Sequence, residues 1–238
     1  MHDTTLRILD FDYGDECMMA VEEPTSFAEA EKEGCWRRAM LEEMQSIEGN
    51  GTWSLVDLLV GCKPSGLKWV FKIKRDPSGV VSKYKARLVA KGYIQQYGAD
   101  YVEVFAHVAR METVRMLIAL AAQRGWEIHH MDVKSAFLNG ELEEDVYVVQ
   151  PLGFVDEKEP AKVLKLKKAL YGLKQAPRAW NAKLDESLNS LNFVKSATEH
   201  AVYTRESGNS RLIVGVYVDD LLIIGANVLE VEGFKRQM

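Results

Sequence analysis

One run, Val214-Gly-Val-Tyr-Val-Asp-Asp-Leu-Leu-Ile-Ile-Gly225, constrains the fold of this chain more than any other. Two apolar, strand-like stretches meet at the pair Asp219-Asp220, which predicts a β-hairpin with carboxylates at its tip. Adjacent anions on a turn between buried strands repel each other and resist loss of water. The arrangement makes most physical sense if a divalent cation is held there. Metal-assisted phosphoryl chemistry is the first expectation.

Charge distribution points to a polyanionic partner. The net charge is −5, but Lys63 to Gly92 holds nine bases (Lys63, Lys68, Lys72, Lys74, Arg75, Lys83, Lys85, Arg87, Lys91) against the single acid Asp76. Lys162 to Arg178 holds six more bases and no acid. Local potential, not the total, sets attraction to phosphate. A solvated basic hairpin is the plain alternative. At 238 residues the chain can bury one sizeable core or two smaller ones. Cys17, Cys35 and Cys62 are odd in number and widely spaced, which predicts reduced thiols and no zinc site. The start lacks an apolar run after basic residues, so neither secretion nor membrane insertion is expected.

Residues 1–25 are acidic and aperiodic and are expected to form a poorly ordered leader without chemistry. Ser26-Phe-Ala-Glu29 has the spacing of a capping box, opening a helix that runs to Gly49 with Phe27, Ala30, Met40 and Met44 at helical intervals and Trp36 as its anchor. A short strand follows at Trp53 to Val56. Leu67 to Arg75 and Val80 to Ala90 then flank Asp76-Pro-Ser-Gly79 as a hairpin. Glu112 to Arg124 reads as a helix with a stripe of Val114, Leu117, Ile118 and Ala121, closed by Gly125. Trp126 to Asp132 reads as a strand entering the core, and Lys134 to Asn139 as a short helix or turn. Strands are expected at Val146 to Val149, Val163 to Leu170 and in a final hairpin from Leu212 to Ile224, with a helix from Pro177 to Leu191. Irregular alternation with hairpins makes the fold class α+β, with antiparallel sheets, and no linker divides it.

Three sets of residues could carry chemistry. Asp132 ends a strand within His130-Met-Asp-Val-Lys-Ser-Ala-Phe-Leu-Asn-Gly140; alone it is an ordinary helix N-cap. With Asp219 it gains another meaning: carboxylates from two strands could bridge a pair of magnesium ions roughly 3.5–4 Å apart that activate a 3′-hydroxyl and hold pyrophosphate. Asp132 and Asp219 are the principal ligands on this reading and Asp220 the secondary one. Ala169-Leu-Tyr-Gly-Leu-Lys-Gln-Ala-Pro-Arg-Ala-Trp180 combines a strand end, a Gly turn and a helix start. Gly172 there permits close backbone approach, and Lys174 and Arg178 can meet phosphate or template; the alternative is a structural strand-turn-helix with Trp180 in the core. On the basic hairpin Lys74 and Arg87 could reach a triphosphate, above Trp69 and Tyr84.

Five motifs in order carry a family resemblance: Lys68-Trp-Val-Phe-Lys72, Tyr84-Lys-Ala-Arg-Leu-Val-Ala-Lys-Gly-Tyr93, Met131-Asp-Val-Lys-Ser-Ala-Phe-Leu-Asn-Gly140, Leu170-Tyr-Gly-Leu-Lys-Gln-Ala-Pro-Arg-Ala-Trp180 and Tyr217-Val-Asp-Asp220. From about Trp36 to Gly225 the chain resembles the reverse transcriptase of copia-type long-terminal-repeat retrotransposons. The resemblance implies a right-hand polymerase in which residues 26–225 form fingers and palm, with an antiparallel palm sheet and packed helices. It implies RNA-directed DNA synthesis by two-metal nucleotidyl transfer, with two Mg2+ ions, or Mn2+ in their place. Asp132, Asp219 and Asp220 are then the metal-binding, catalytic carboxylates. Lys74, Arg87, Phe137, Gly172 and Lys174 face the nucleotide, and Lys72, Lys85, Lys91 and Arg178 contact template or phosphate. Phe137 matches the ring that excludes a ribose 2′-hydroxyl; as a bland alternative it fills the core. The implied partners are an RNA template, a DNA primer, deoxynucleoside triphosphates and the other polyprotein segments, in the cytoplasm, in retrotransposon particles or in the nucleus.

Two departures from the family stand out. His107 occupies a position in Phe105-Ala-His-Val-Ala-Arg110 where the family usually has proline, which bears on the rigidity of that turn. Residues 226–238 are too few for the rest of the palm, the thumb and an RNase H domain, so the expectation is a palm cut short, the thumb absent and activity weak. The competing expectation is a catalytically inactive retroelement remnant that still binds nucleic acid.

Overall fold

The computed structural model describes residues 22–208 and 210–238. The element order is α1 (Phe27–Ala30), α2 (Gly34–Gly49), β1 (Trp53–Val56), β2 (Leu67–Arg75) and β3 (Val81–Ala90). Then come α3 (Met111–Arg124), β4 (Glu127–Asp132), β5 (Glu141–Val148), β6 (Val163–Lys168) and α4 (Ala176–Ser190). The chain finishes with β7 (Val194–Lys195), β8 (Val202–Ser207), β9 (Ser210–Tyr217), β10 (Asp220–Gly225) and α5 (Val228–Gln237). Among the described residues every pairing between these strands is antiparallel. The mixed architecture agrees with the expected α+β class. Among the described residues no helix is long and apolar enough to cross a membrane.

The chain divides into two compact units. The first comprises the residues up to Val104 and Phe137–Ala176, the second Phe105–Ala136 and Pro177–Met238.

In the first unit, β2 and β3 form a two-stranded ribbon and β1, β6 and β5 a three-stranded sheet in that order. Asp76 builds the turn of the ribbon. Its Oδ1 accepts from the backbone N–H groups of Ser78 (2.9 Å) and Val80 (3.0 Å), and Gly79 takes a positive φ of 85°. One face of the ribbon is apolar and packs on α2, where Trp36 meets Phe71 (5.3 Å between ring centroids) and Tyr84 (5.0 Å), both edge to face. Trp36 is fully buried, as are Ala30 and Ile47. Trp36→Ala is expected to cost about 3–5 kcal/mol, because collapse around so large a void is incomplete; chemical denaturation of the variant checks it.

The helix expected from Ser26 to Gly49 is in fact two. Ser26 does cap the first, its Oγ accepting from Glu29 N–H at 3.3 Å, but Glu29 closes back on Thr25 N–H (2.8 Å) instead of Ser26. The helix stops at Ala30 and restarts at Gly34, a residue with little preference for continuing a helix. Residues 1–21 of the expected leader lie outside the described residues. Glu23, near its end, is held on β2: its carboxylate accepts from Ile73 N–H (3.0 Å) and Lys72 Nζ (2.5 Å).

In the second unit, a five-stranded sheet runs β4-β10-β9-β8-β7. Side chains alternate across a strand. On one face Ile213, Ile224 and Val202 pack with Leu117 and Ala121 of α3. Gly215 lies on that face because Leu117 needs the room: a Cβ there would sit 2.8 Å from Leu117 Cδ1. On the other face Phe193 and Phe234 of α5 meet at 5.1 Å, and Tyr203 donates to Asp185 of α4 at 2.7 Å. Two expectations need correction. Ile118 is exposed, and the buried line of α3 is Thr113, Leu117 and Ala121. β4 does not enter the core; it is the sheet edge, with Glu127, Ile128, His130 and Asp132 all exposed. Gly125 ends α3 as expected, with φ 66°.

Candidate active site

Register brings the acidic residues to one end of the five-stranded sheet. Asp220 opens β10 and stands directly across from Asp132, the last residue of β4. Directly opposed residues project from the same face, so these two carboxylates share one side of the sheet. Asp219 is one of two residues, with Val218, that turn the chain between Tyr217 and Asp220. Its carbonyl accepts from Val133 N–H at 2.9 Å, which ties the turn to the end of β4. Asp219 and Asp220 are half-buried, and Asp132 is exposed.

The turn itself is strained. Val218 has φ 58°, a conformation that a β-branched residue rarely adopts and that costs on the order of 1–3 kcal/mol. It is held from behind by Trp180, whose Nε1–H donates to Val218 O at 2.8 Å. Trp180 is therefore both a core residue of α4 and a brace for the acidic hairpin. The sequence reading assigned it only to the core.

His130 is the residue that sequence reasoning passed over. Two positions before Asp132 on the same face of β4, it lies diagonally across from Asp220, and its Nε2 meets Asp220 Oδ1 at 2.7 Å. The missed signal was the two-residue spacing from Asp132, which puts both side chains on one face.

The donor set of Asp132, Asp219 and Asp220, all carboxylate oxygens near solvent, suits a hard divalent cation. Among the described residues, however, no three His, Cys, Asp or Glu side chains are gathered closely enough to hold a metal ion. The backbone brings the three residues to one end of the sheet, while the Asp220 carboxylate is turned to His130. The expected set is thus neighbouring but not a finished chelate.

The residues expected to meet nucleotide or template fall mostly in the first unit. The β2–β3 register pairs Lys72 with Lys85, Lys74 with Lys83 and Val70 with Arg87. One face of the ribbon therefore carries stacked bases, a destabilising arrangement unless anions neutralise it. Carboxylates of the same unit do part of this: Glu23 on Lys72, and Glu42 on Lys83 at 2.8 Å. Glu43 accepts from Leu88 N–H at 3.2 Å; burial pushes its carboxyl above the ordinary range, opposed by that hydrogen bond and by Lys85 and Arg87. Arg87 stacks over Tyr171 (5.4 Å to the ring centroid), and Tyr171 in turn meets Phe137 at 4.8 Å, so these expected nucleotide residues share one neighbour. The aliphatic stem of Lys91 lies on Gly66.

Gly172 packs its backbone closely against the end of β3. With φ 89°, its Cβ position lies 2.2 Å from Ala90 O, and Ala90 N–H donates to Tyr171 O at 2.7 Å. The next turn is pinned by two buried amides: Gln95 Oε1 accepts from Lys174 N–H (2.9 Å), and Gln95 Nε2 donates to Gln175 (3.0 Å). The Lys174 ammonium is occupied, donating to Gln95 O and Tyr101 OH, each at 3.2 Å. Arg178 lies in α4, in the second unit.

Comparison with known proteins agrees with this arrangement of motifs. Residues 50–238 match the family described as reverse transcriptase (RNA-dependent DNA polymerase). The chain is 43% identical over 214 residues to the retrovirus-related Pol polyprotein from transposon RE1 of Arabidopsis thaliana, an alignment covering 87% of this chain and 14% of that protein. It is 46% identical over 189 residues to the corresponding polyprotein from transposon TNT 1-94 of Nicotiana tabacum, covering 79% of this chain and again 14% of the relative. The chain thus spans about one seventh of the length of these relatives. With the motifs in order and the match extending over most of its length, the chain belongs to the reverse transcriptase family found in the Pol polyproteins of copia-type retrotransposons.

Proposed function

We propose that this domain carries out RNA-directed DNA synthesis, with Asp132, Asp219 and Asp220 as the carboxylates that hold the catalytic metal. The observation that carries this reading is the register of β4 and β10, which sets Asp132 against Asp220 beside Asp219 in a braced, strained turn. Bound magnesium supplies charge neutralisation at the transferring phosphoryl group and lowers the pKa of the attacking 3′-hydroxyl. The protein's own part is positional. Trp180 and the Val133–Asp219 hydrogen bond fix the acidic turn, and His130 holds the Asp220 carboxylate.

On this reading the basic ribbon acts as fingers and the five-stranded sheet as palm. Lys74 and Arg87 neutralise the triphosphate, and Lys72, Lys85, Lys91 and Arg178 meet template phosphates. Phe137, packed on Tyr171, occupies the volume that a 2′-hydroxyl requires and so selects deoxynucleotides. Gly172 lets the Tyr171 backbone lie against the end of β3, and Lys174 holds the following turn. Primer extension on an RNA template with a DNA primer, deoxynucleotides and Mg2+ tests the proposal: product that depends on Asp132 and Asp219 supports it, and absence of product at saturating Mg2+ and template overturns it.

A second reading has one observation in its favour. The Asp220 carboxylate is engaged by His130. That suits a catalytically inactive remnant that keeps nucleic-acid binding. Binding alone, with no extension under any divalent cation, is its signature.

The electrostatic footprint is testable on either reading. Template affinity is expected to fall steeply with salt, since each phosphate contact releases counterions, with a slope of about −0.7 per contact for single strands. Lys85→Ala and Lys91→Ala, at positions assigned to template phosphates, are each expected to shallow that slope by about 0.7. A salt-independent affinity in a fluorescence-anisotropy titration removes the basic ribbon as the contact surface.

A further inference from the structure

We propose that His107 and His200 form a two-imidazole site for a borderline divalent transition metal, of the class of Zn2+, Ni2+ or Cu2+. Both residues belong to the second unit, and neither takes part in the acidic hairpin. His107 Nε2 lies 3.4 Å from His200 Nδ1, with the rings edge to face and 4.6 Å between centroids. Tetrahedral zinc with Zn–N bonds of about 2.0–2.1 Å requires its two nitrogens about 3.3–3.4 Å apart. The pair is already at the bite distance of a chelate.

The backbones that carry the two rings are held in place. His107 O accepts from Asn181 Nδ2 at 3.3 Å, and Ala109 N–H donates to Val216 O at 2.9 Å. On the opposite side Glu199 accepts from Thr113 Oγ1 at 2.9 Å, Val202 N–H donates to Glu199 O at 2.9 Å, and Val216 N–H donates to Ala201 O at 2.8 Å. Phe105 packs edge to face on His107 at 4.9 Å and limits the orientations of its ring. Ligands whose chain segments are ordered before binding lose little entropy on coordination.

The metal class follows from the donors. Imidazole nitrogen favours Zn2+, Cu2+ and Ni2+ over Mg2+, which takes oxygen and tolerates few departures from octahedral geometry. Two protein ligands leave the remaining positions to water. When both rings are neutral and hydrogen-bonded, one of Nε2 of His107 and Nδ1 of His200 carries the hydrogen and the other accepts it. On coordination it moves to the outer nitrogen of its ring, leaving His107 protonated on Nδ1 and His200 on Nε2, with no net proton released. The bound ion then joins the segment before α3 to the loop before β8, the two segments that hydrogen-bond Val216 on either side just ahead of the acidic turn.

Isothermal titration of the whole chain with ZnCl2, in millimolar Mg2+, is the test. The expected result is a one-to-one step that weakens at least about tenfold in His107→Gln and in His200→Gln, whose exposed or half-exposed positions spare the fold. Paramagnetic broadening by substoichiometric Cu2+ in the unaltered chain gives a variant-free readout, with the first amide signals lost around residues 106–108 and 199–201. Zinc affinity unchanged in both variants overturns the proposal, as does broadening centred on residues 129–130 and 219–220.

Discussion

Asp219→Asn will reduce primer extension by at least about three orders of magnitude, about 4 kcal/mol of transition-state stabilisation, while leaving the folded state near its original stability. The asymmetry follows from where Asp219 sits. Its backbone carbonyl, not its side chain, makes the hydrogen bond to Val133 that closes the turn, so the amide keeps that contact. What the amide cannot keep is the charge that a cation needs. Asp132→Asn is expected to behave alike, since Asp132 is exposed at the end of an edge strand. Circular dichroism melts beside single-turnover extension separate the two effects. Extension that survives Asp219→Asn removes the metal-site assignment.

Gly172→Ala is expected to give a large loss of stability. The residue has φ 89°, and the new Cβ would lie 2.2 Å from Ala90 O, a backbone atom that cannot swing aside. Backbone strain and overpacking together come to about 2–5 kcal/mol, a fall in melting temperature of about 6–15 °C for a chain of this size. Gly98→Ala is the matched control, because Gly98 also has positive φ (80°) but open space around its Cβ position. The control is expected to cost only about 1 kcal/mol. Equal costs at the two positions, measured by denaturant unfolding, contradict the close approach of the Tyr171 segment to the end of β3.

Why some of this was legible in the amino-acid sequence and some was not can be traced residue by residue. The two hairpins were readable because their turns are built from local chemistry: Asp76-Pro-Ser-Gly79 supplies an acceptor and a positive φ, and Asp219-Asp220 interrupts two apolar runs. α3 announced its end through Gly125. The short β8 was invisible because Val202-Tyr-Thr-Arg-Glu-Ser207 fades from apolar to charged and gains its pairing only from β9. α5 was hidden for a related reason, since Gly233 interrupts the helical pattern and the burial of Val231 and Phe234 is decided by the sheet. β4 misled because His129, Met131 and Trp126 suggest burial, whereas its rank at the sheet edge is a property of the whole topology.

The site divides in the same way. Asp132, Asp219 and Asp220 were legible as types, and register was required to learn that Asp132 faces Asp220 and not Asp219. The neutralisation of the basic ribbon could not be read at all. Glu23, Glu42 and Glu43 reach Lys72, Lys83 and the Leu88 amide from roughly forty to fifty positions away. His130 demanded both the strand spacing and the register at once, and only the second is a tertiary fact.

The central claim is that the backbone of β4 and the β9–β10 turn prepares one divalent-cation site from carboxylates. Crystals soaked with Mn2+ and a deoxynucleoside triphosphate, with data collected at the manganese absorption edge, test it most directly. The account predicts an anomalous peak within about 2.0–2.3 Å of carboxylate oxygens of Asp132 and Asp219, with Asp220 released from His130. A saturated crystal with no peak between those residues, or with manganese bound only elsewhere on the chain, contradicts it.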